Sequence, residues 1–252
     1  GTEKAFLNLV SEIDFTKYDV TLLLLEEKGG FLKDVPNEVQ IETLENYEQI
    51  KDEIMLPPLV CAKKAMHIKK YLKAVGILFY HIIFKISNDR TSYYKYIIRK
   101  LKKKEGYDVA IAFAGPMEFI TTYILEKVEA NKKIQWIHFD ISKNGTNLKH
   151  ARRNYPKFNK IFVVSDQAKQ ILIDAIPSID KITETKQNVV SEAACLKLAE
   201  VGETYRNYDG IKILTVGRLY REKGQDIIPE VARQLKKEGY DFKWYLIGEG
   251  SI

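Results

Sequence analysis

This sequence lacks several features that would assign it to a common class of protein. Its two cysteines, Cys61 and Cys195, form neither a disulfide framework nor a C-x-x-C metal pattern, which favours a reducing compartment. No apolar run reaches the roughly 18–20 residues that a membrane-spanning helix needs. No G-x-G-x-x-G turn follows a first strand, which argues against a dinucleotide oxidoreductase. No D-x-D carboxylate pair occurs either, so the sequence predicts neither a metal site nor a bound cofactor.

Acidic residues are nearly absent from one segment of the chain. Residues 61–104 contain thirteen lysines and arginines and a single acid, Asp89, although the whole chain carries a net charge of only +6. The rest of the chain is therefore net negative, and the basicity is a local feature with a local cause. The overall composition, with 45% apolar residues over 252 positions, is that of a globular protein long enough for two domains.

Apolar strands alternate with helical patterns along most of the chain. The runs 18–26, 107–115 and 160–165 are typical of buried strands, and the pattern 166–175 predicts a helix with Ser165 as its N-cap. This alternation predicts an α/β fold, a Rossmann-like doubly wound parallel sheet with helices on both faces.

A polar stretch bounded by glycine at 202–210 predicts a joint between two domains, 1–208 and 209–252. The second part contains only a strand, a helix and a strand. Such a piece buries too little surface to stand alone, so it packs on the first domain or begins a longer domain that is truncated here.

The turn that follows the strand 211–217 concentrates positive charge. Arg218 comes directly after Gly217, and Lys223 and Gly224 open the predicted helix 223–238. Ligands of α/β sheets bind beyond the carboxyl ends of strands, and a helix N-terminus favours anions. The turn therefore predicts a site for an anion such as a diphosphate, with two solvated loop cations beside a tight turn as the alternative.

The stretch VGRLYREKG at 216–224, followed by LIGEG at 246–250, resembles the nucleotide-sugar domain of family 4 (group 1) glycosyltransferases. These are retaining enzymes of the GT-B type, whose motif is G-R-L-x-x-x-K-G with a G-x-G after the next strand. The resemblance implies that Arg218 and Lys223 hold the donor diphosphate and stabilise the leaving nucleoside diphosphate, as fixed charge aimed at developing charge.

The first domain carries further resemblances to the same family. GTEK at 1–4 is similar to the end of its G-G-x-E loop, WIHFD at 136–140 to its strand-end histidine, and VVSDQAK at 163–169 to a strand–helix junction. The resemblance makes His138 the third catalytic residue beside the two cations. It also implies a set of donor-binding residues: Gly1, Thr2, Gly217, Gly224, Gly248 and Gly250.

His138 and Asp140 each have a structural interpretation as well. A histidine at the end of a buried strand is often bonded to a neighbour, whereas the resemblance implies that His138 bonds the transferring sugar or orders the acceptor hydroxyl. Asp140 is interpreted as the cap of the next segment rather than as a site acid.

The sequence departs from the family pattern in two respects. Residues 188–191 read N-V-V-S, with serine where the family's N-x-x-D stretch has its acid. The family's E-x(7)-E element, the strand before the first loop and most of the donor domain have no counterpart within the 252 residues. We therefore expect this chain, taken alone, to be inactive or nearly so.

The basic segment 61–104 predicts amphipathic helices. The residues Ile68, Leu72, Val75, Phe79, Ile82 and Ile86 recur at helical spacing and are flanked by lysines. An apolar stripe edged with cations suits an anionic membrane surface, but it also suits a helix that packs its stripe on a sheet. Nucleic-acid binding is a third interpretation that no recognised motif supports.

Taken together, the residues and the resemblance lead to one hypothesis and one alternative. The hypothesis is a hexosyltransferase that moves a sugar from a nucleoside-diphosphate sugar to a glycan or lipid-linked acceptor with retention. It would serve cell-surface polysaccharide biosynthesis in the cytoplasm, peripherally at the inner face of the cell membrane. The alternative is a non-catalytic binding module with the GT-B fold.

Overall fold

A computed structural model of the chain describes residues 1–114, 117–143, 145–200 and 208–250. The contacts between residues divide the chain into two compact units, Gly1–Glu192 and Ala193–Ile252. The predicted joint at 202–210 lies largely outside the described residues, and the predicted boundary after residue 208 stays a prediction.

The first unit contains most of the regular structure. Its helices are α1 (Thr2–Val10), α2 (Lys51–Met55), α3 (Pro58–His67), α4 (Tyr71–Ser87), α5 (Thr91–Ile98), α6 (Met117–Lys127), α7 (Leu148–Asn154) and α8 (Asp166–Ala175). Its strands are β1 (Val20–Leu24), β2 (Val39–Thr43), β3 (Lys104–Ala112), β4 (Val128–Ile137), β5 (Lys160–Val163) and β6 (Thr183–Thr185). The helix α9 (Glu192–Glu200) spans the division between the units.

All strand pairs in the described part of the chain are parallel. β1 pairs with β2, while β3, β4, β5 and β6 form a second sheet in chain order. Parallel neighbours require crossover connections, and helices supply them here between successive strands of the larger sheet. The predicted α/β class with parallel sheets is confirmed.

The core of the first unit lies around β4 and β5. Three consecutive residues of β4, Gln135, Trp136 and Ile137, are all buried, as expected for an inner parallel strand covered on both faces. Gln135 is tolerated there because it bonds to Thr121 at 2.7 Å and to the Ala112 carbonyl at 3.3 Å. This packing fixes the end of β4, where His138 follows.

Local signals account for several element boundaries. Ser165 is the N-cap of α8, as predicted, and its hydroxyl accepts a hydrogen bond from the Ala168 amide at 3.1 Å. Asn147 caps α7 in the same way, accepting from the amides of Lys149 and His150. The predicted helices of the basic segment are confirmed as α3, α4 and α5.

The second unit consists of β7 (Ile211–Val216), α10 (Ile228–Lys237) and β8 (Phe242–Ile247), with β7 and β8 paired in parallel. Among its described residues, Phe242 and Gln225 are the buried ones. The predicted strands are confirmed, but the prediction that the helix starts at Lys223 is wrong. Gly224 has a left-handed backbone with φ of 65°, which separates two short 3-10 turns and delays the α-helix to Ile228.

Candidate functional site

The ends of β7 and β8 remain joined beyond the two strands. The Gly217 amide donates to the Ile247 carbonyl at 2.9 Å, and the Leu219 amide donates to the Glu249 carbonyl at 2.9 Å. The backbone that carries Arg218 is therefore held on both sides by hydrogen bonds. This pairing gives the predicted anion site a fixed frame at the carboxyl end of the sheet.

Two of the predicted donor-binding glycines have a steric role in this frame. A Cβ atom on Gly248 would lie 1.9 Å from the Gly217 carbonyl oxygen, and one on Gly250 would lie 2.3 Å from the Leu219 carbonyl oxygen. No side chain fits at either place, because real Cβ contacts are never that short. The G-x-G spacing is thus required by the close approach of the two strand ends.

The two predicted cations lie on the turn that follows. Arg218 is exposed, and its guanidinium carbon sits 4.9 Å from the centre of the Tyr220 ring. Lys223 is exposed at the end of the 3-10 turn Arg221–Lys223, directly before the left-handed Gly224. The helix α10 begins only at Ile228, five residues after Lys223. The two side-chain cations therefore contribute more than the helix N-terminus to making this turn suitable for an anion.

Gln225 is a residue of this turn that sequence reasoning missed. It is buried, and its side-chain amide donates to the Gly217 carbonyl at 3.1 Å. Its Oε1 atom has no hydrogen-bond partner among the described residues, so it offers a buried acceptor beside the turn. Nothing in the sequence marked this glutamine, because its role depends on the fold of Gly217.

His138 follows β4 and is half-buried in an aromatic cluster. Its ring stacks on Trp136 with the centroids 5.6 Å apart and lies 4.4 Å from the Phe113 centroid. Phe113 also meets Phe6 of α1 at 5.8 Å, so the cluster connects the histidine to the first helix. The sequence did not predict this packing, because the rings come from three separate elements.

Neither ring nitrogen of His138 lies at hydrogen-bonding distance and angle from a partner among the described residues. Burial lowers the pKa of His138 below its ordinary value, and the side chain of Asn188 opposes that shift. The contact with Asn188 does not meet hydrogen-bond geometry, so both ring nitrogens remain available to a ligand. A neutral imidazole with two unsatisfied nitrogens can donate one hydrogen bond to a ligand and accept another.

The remaining predicted residues of the first unit lie at element ends. Gly1 is the N-cap of α1 and Thr2 its first residue, and the Ala5 amide donates to the Gly1 carbonyl at 3.0 Å. Asp140 accepts from the amide and the hydroxyl of Ser142, at 2.9 and 2.7 Å, and these bonds and Lys143 lower its pKa. Its interpretation as a local cap is therefore confirmed.

A polar cleft in the first unit was not predicted from the sequence. A cavity of about 290 Å³ adjoins a second one of about 500 Å³. Both are lined by Arg90, Glu118 and the loop residues Gly145–Asn147. Burial raises the pKa of Glu118, with Arg90 opposing, and its Oε2 atom has no partner among the described residues. The cleft thus offers a carboxyl group and a guanidinium to a polar ligand.

His150 lies on the wall of the smaller cavity and is almost completely buried. The Thr122 hydroxyl donates to the Glu118 carbonyl at 2.8 Å, so the 3.1 Å contact between this hydroxyl and His150 Nε2 requires Nε2–H as the donor. Burial lowers the pKa of His150 to about 4. His150 is therefore neutral at physiological pH, with the proton on Nε2.

The residues that the structure describes contain no group of three or more His, Cys, Asp or Glu side chains placed to hold a metal ion. Across the same residues, no helix combines the length and the apolar character that crossing a membrane demands.

Comparison with known proteins gives similarities at the level of solved structures. No family model matches the chain, and no curated protein matches it. Structures of Anabaena Alr3699/HepE are similar to it: the complex with UDP-glucose has 13% identity and a TM-score of 0.48, and the complex with UDP has the same values. The complex with UDP and glucose has 12% identity and a TM-score of 0.47. The first two similarities cover 98% and 100% of this chain but 65% and 66% of the HepE chain, so this chain spans about two thirds of HepE.

Proposed function

We propose that the protein is a glycosyltransferase that uses a nucleoside-diphosphate sugar and binds its diphosphate at residues 217–224. The observation that carries the proposal is the turn beyond β7 and β8. Its backbone is held by two hydrogen bonds and by glycines whose side chains would clash, and it presents two exposed cations. A fixed backbone with charged side chains on its outer side suits a ligand with two adjacent phosphates.

In the proposed reaction, the bond between the anomeric carbon of the sugar and the diphosphate oxygen breaks. A bond forms from that carbon to the acceptor oxygen on the same face, which retains configuration. The proton of the acceptor hydroxyl passes to the departing phosphate oxygen, so no protein nucleophile is required. Arg218 and Lys223 stabilise the negative charge that develops on the leaving diphosphate.

His138 fits a positioning role toward the sugar in this proposal. Its ring is fixed by Trp136 and Phe113, and both nitrogens lack a bond of full geometry. Since the imidazole is neutral, it can donate one hydrogen bond to a sugar hydroxyl and accept another. Gly1 and Thr2, at the start of α1, are proposed as further donor-binding residues.

The acceptor in this proposal is a glycan or a lipid-linked sugar, used in cell-surface polysaccharide biosynthesis at the cytoplasmic face of a membrane. The sugar transferred would be a hexose, and the enzyme would be of the GT-B type and family 4. The competing proposal is a binding module with the same fold that catalyses no transfer. Both proposals use the turn at 217–224, and turnover separates them.

A panel of UDP-, GDP- and ADP-sugars, offered to the full-length protein, tests the reaction, with release of nucleoside diphosphate as the readout. We expect release from one donor, and a fall of at least about 100-fold in Arg218→Ala and in Lys223→Ala, since each removes a charge from the developing diphosphate. Lys237→Ala, at the far end of α10, is the matched control and should leave release unchanged. Binding of a nucleoside diphosphate without any release would favour the binding module instead.

A further inference from the structure

One face of α4 is apolar and exposed over the whole length of the helix. Leu72 is 90% exposed, Ile86 80% and Phe79 57%. At 100° per residue, the stripe occupies an arc of about 100° around the helix axis. Its members within α4 are Tyr71, Leu72, Val75, Phe79, Ile82 and Ile86, which we call the α4 stripe. A stripe of this size is unusual on a surface that contacts only water.

The other side of α4 is packed against its own unit. Ala74 and Ile77 are buried, and the Tyr96 ring of α5 lies so close to Gly76 that a Cβ there would be 1.9 Å from its hydroxyl oxygen. α4 is therefore seated on α5 by the face opposite the stripe. This arrangement excludes the interpretation in which the stripe packs on the sheet. The apolar residues that do pack inward belong to α5, where Tyr93 and Ile97 are buried.

The charges around the stripe have one sign. Residues 54–88 contain six lysines and no acid. Two of the lysines form salt bridges with acids that precede this stretch: Lys64 with Asp52 at 2.9 Å, and Lys73 with Glu53. Lys69, Lys70 and Lys85 are exposed and make no ion pair with a described residue. Positive charge thus remains unneutralised at both ends of the stripe.

We propose that the α4 stripe binds the surface of an anionic lipid bilayer, with α4 lying parallel to the membrane. The apolar side chains would enter the boundary between headgroups and acyl chains, while Lys69, Lys70 and Lys85 contact lipid phosphates. The charge pattern selects this partner. Two copies of the chain joined through the stripe would bring like charges together, and a nucleic acid offers no counterpart to six adjacent apolar side chains.

Membrane binding through the α4 stripe is independent of the transferase reaction. It requires only the exposed stripe and the unpaired lysines, both of which belong to the first unit. If the protein does transfer sugars, the same surface would bring a lipid-linked acceptor within reach of the first unit.

Co-sedimentation of the 252-residue chain with vesicles tests the proposal. The vesicles are phosphatidylcholine alone or phosphatidylcholine mixed with phosphatidylglycerol, at low and at high salt. We expect binding to the mixed vesicles, weaker binding at high salt, and little binding to phosphatidylcholine alone. Changing Lys69, Lys70 and Lys85 to Ser should weaken binding by about 100-fold, because each lysine near an anionic surface contributes several-fold in affinity.

The variant Leu72→Ser with Phe79→Ser should weaken binding by at least about tenfold, because two inserted side chains are lost. The matched control changes Lys17, Lys102 and Lys103 to Ser. These lysines are also exposed but pair with Asp14, Glu45 and Glu129, so the same loss of charge should have little effect. Circular dichroism and thermal unfolding check that every variant is folded, as expected for substitutions at exposed positions.

Three results would overturn the proposal. The first is an absence of binding to mixed vesicles at low salt. The second is an equal loss of binding in the control triple variant and in the variant of Lys69, Lys70 and Lys85. The third is concentration-dependent dimerisation that the Leu72 and Phe79 changes abolish while vesicle binding persists, which would assign the stripe to a second copy of the chain.

Discussion

At the scale of single residues, His138 and His150 of the first unit differ in their hydrogen bonding. His150 is almost fully buried and its Nε2 bonds Thr122, whereas His138 is half-buried between aromatic rings with no bond of full geometry. A buried polar group that makes a hydrogen bond is compatible with a stable fold, whereas one without a partner lowers the stability. Proteins retain such a group where it binds a ligand. The contrast supports a structural role for His150 and a ligand-binding role for His138.

His150 leads to a prediction about pH. The pKa of a histidine is 6.5 in the unfolded chain, whereas burial lowers that of His150 to about 4 in the folded protein. Between these values the unfolded state binds more protons, so the free energy of unfolding falls as pH drops from 6.5 toward 4. The total loss from this group is about 3 kcal/mol, at about 1.4 kcal/mol per pH unit.

Chemical denaturation of the parent chain and of His150→Gln at pH 7 and pH 4.5 measures this effect. The variant should have a lower free energy of unfolding than the parent at pH 7. At pH 4.5, this difference in unfolding free energy should be smaller by about 2 kcal/mol. His67→Gln, at an exposed position on α3, is the matched control for the loss of an imidazole. An unchanged difference for His150→Gln at the two pH values would show that His150 is not held neutral by the fold.

At the scale of elements, the ends of β7 and β8 lead to a second prediction. Gly248→Ala places a methyl group against the Gly217 carbonyl, so the two strand ends must separate. We expect a loss of at least about 1 kcal/mol in unfolding free energy, which is typical of overpacking. Amide hydrogen exchange of Gly217 and Leu219 should become faster, because both amides donate across this contact.

Gly30→Ala is the matched control for that substitution. A Cβ at Gly30 meets no atom within 4 Å, so its effect on exchange at Gly217 should be negligible. Normal protection of both amides in Gly248→Ala would mean that the strand ends tolerate a side chain, and the frame proposed for the anion site would be wrong.

The elements also show how far sequence patterns reach. The helical periodicity of the α4 stripe identified an amphipathic helix, but periodicity cannot tell which of two faces meets the protein. That choice depends on Tyr96 of α5, twenty residues from Gly76 in sequence, which packs on the face opposite the stripe. The start of α10 was predicted too early for a related reason, since Gly224 adopts a left-handed backbone that composition alone does not reveal.

At the scale of the whole molecule, strand and helix alternation was sufficient to predict the α/β class and the parallel pairing. The turn at 217–224 was predictable as well, because its residues are consecutive. The spacing of Gly248 and Gly250 follows from two close contacts with the backbone of that turn. The cleft around Glu118 was not predictable. Arg90, Glu118 and Asn147 are spread over almost sixty residues, and only the packed fold brings them together.

In our proposal, Arg218 and Lys223 bind the diphosphate of a sugar nucleotide. Calorimetric titration of the 252-residue chain with a nucleoside diphosphate and with the matching monophosphate measures this binding, using UDP, GDP and ADP in turn. We predict that one diphosphate binds more tightly than its monophosphate, and that Arg218→Ala and Lys223→Ala each reduce this difference by about tenfold, whereas Lys237→Ala preserves it. Equal losses of affinity for diphosphate and monophosphate, or a difference that both variants retain, would contradict the claim.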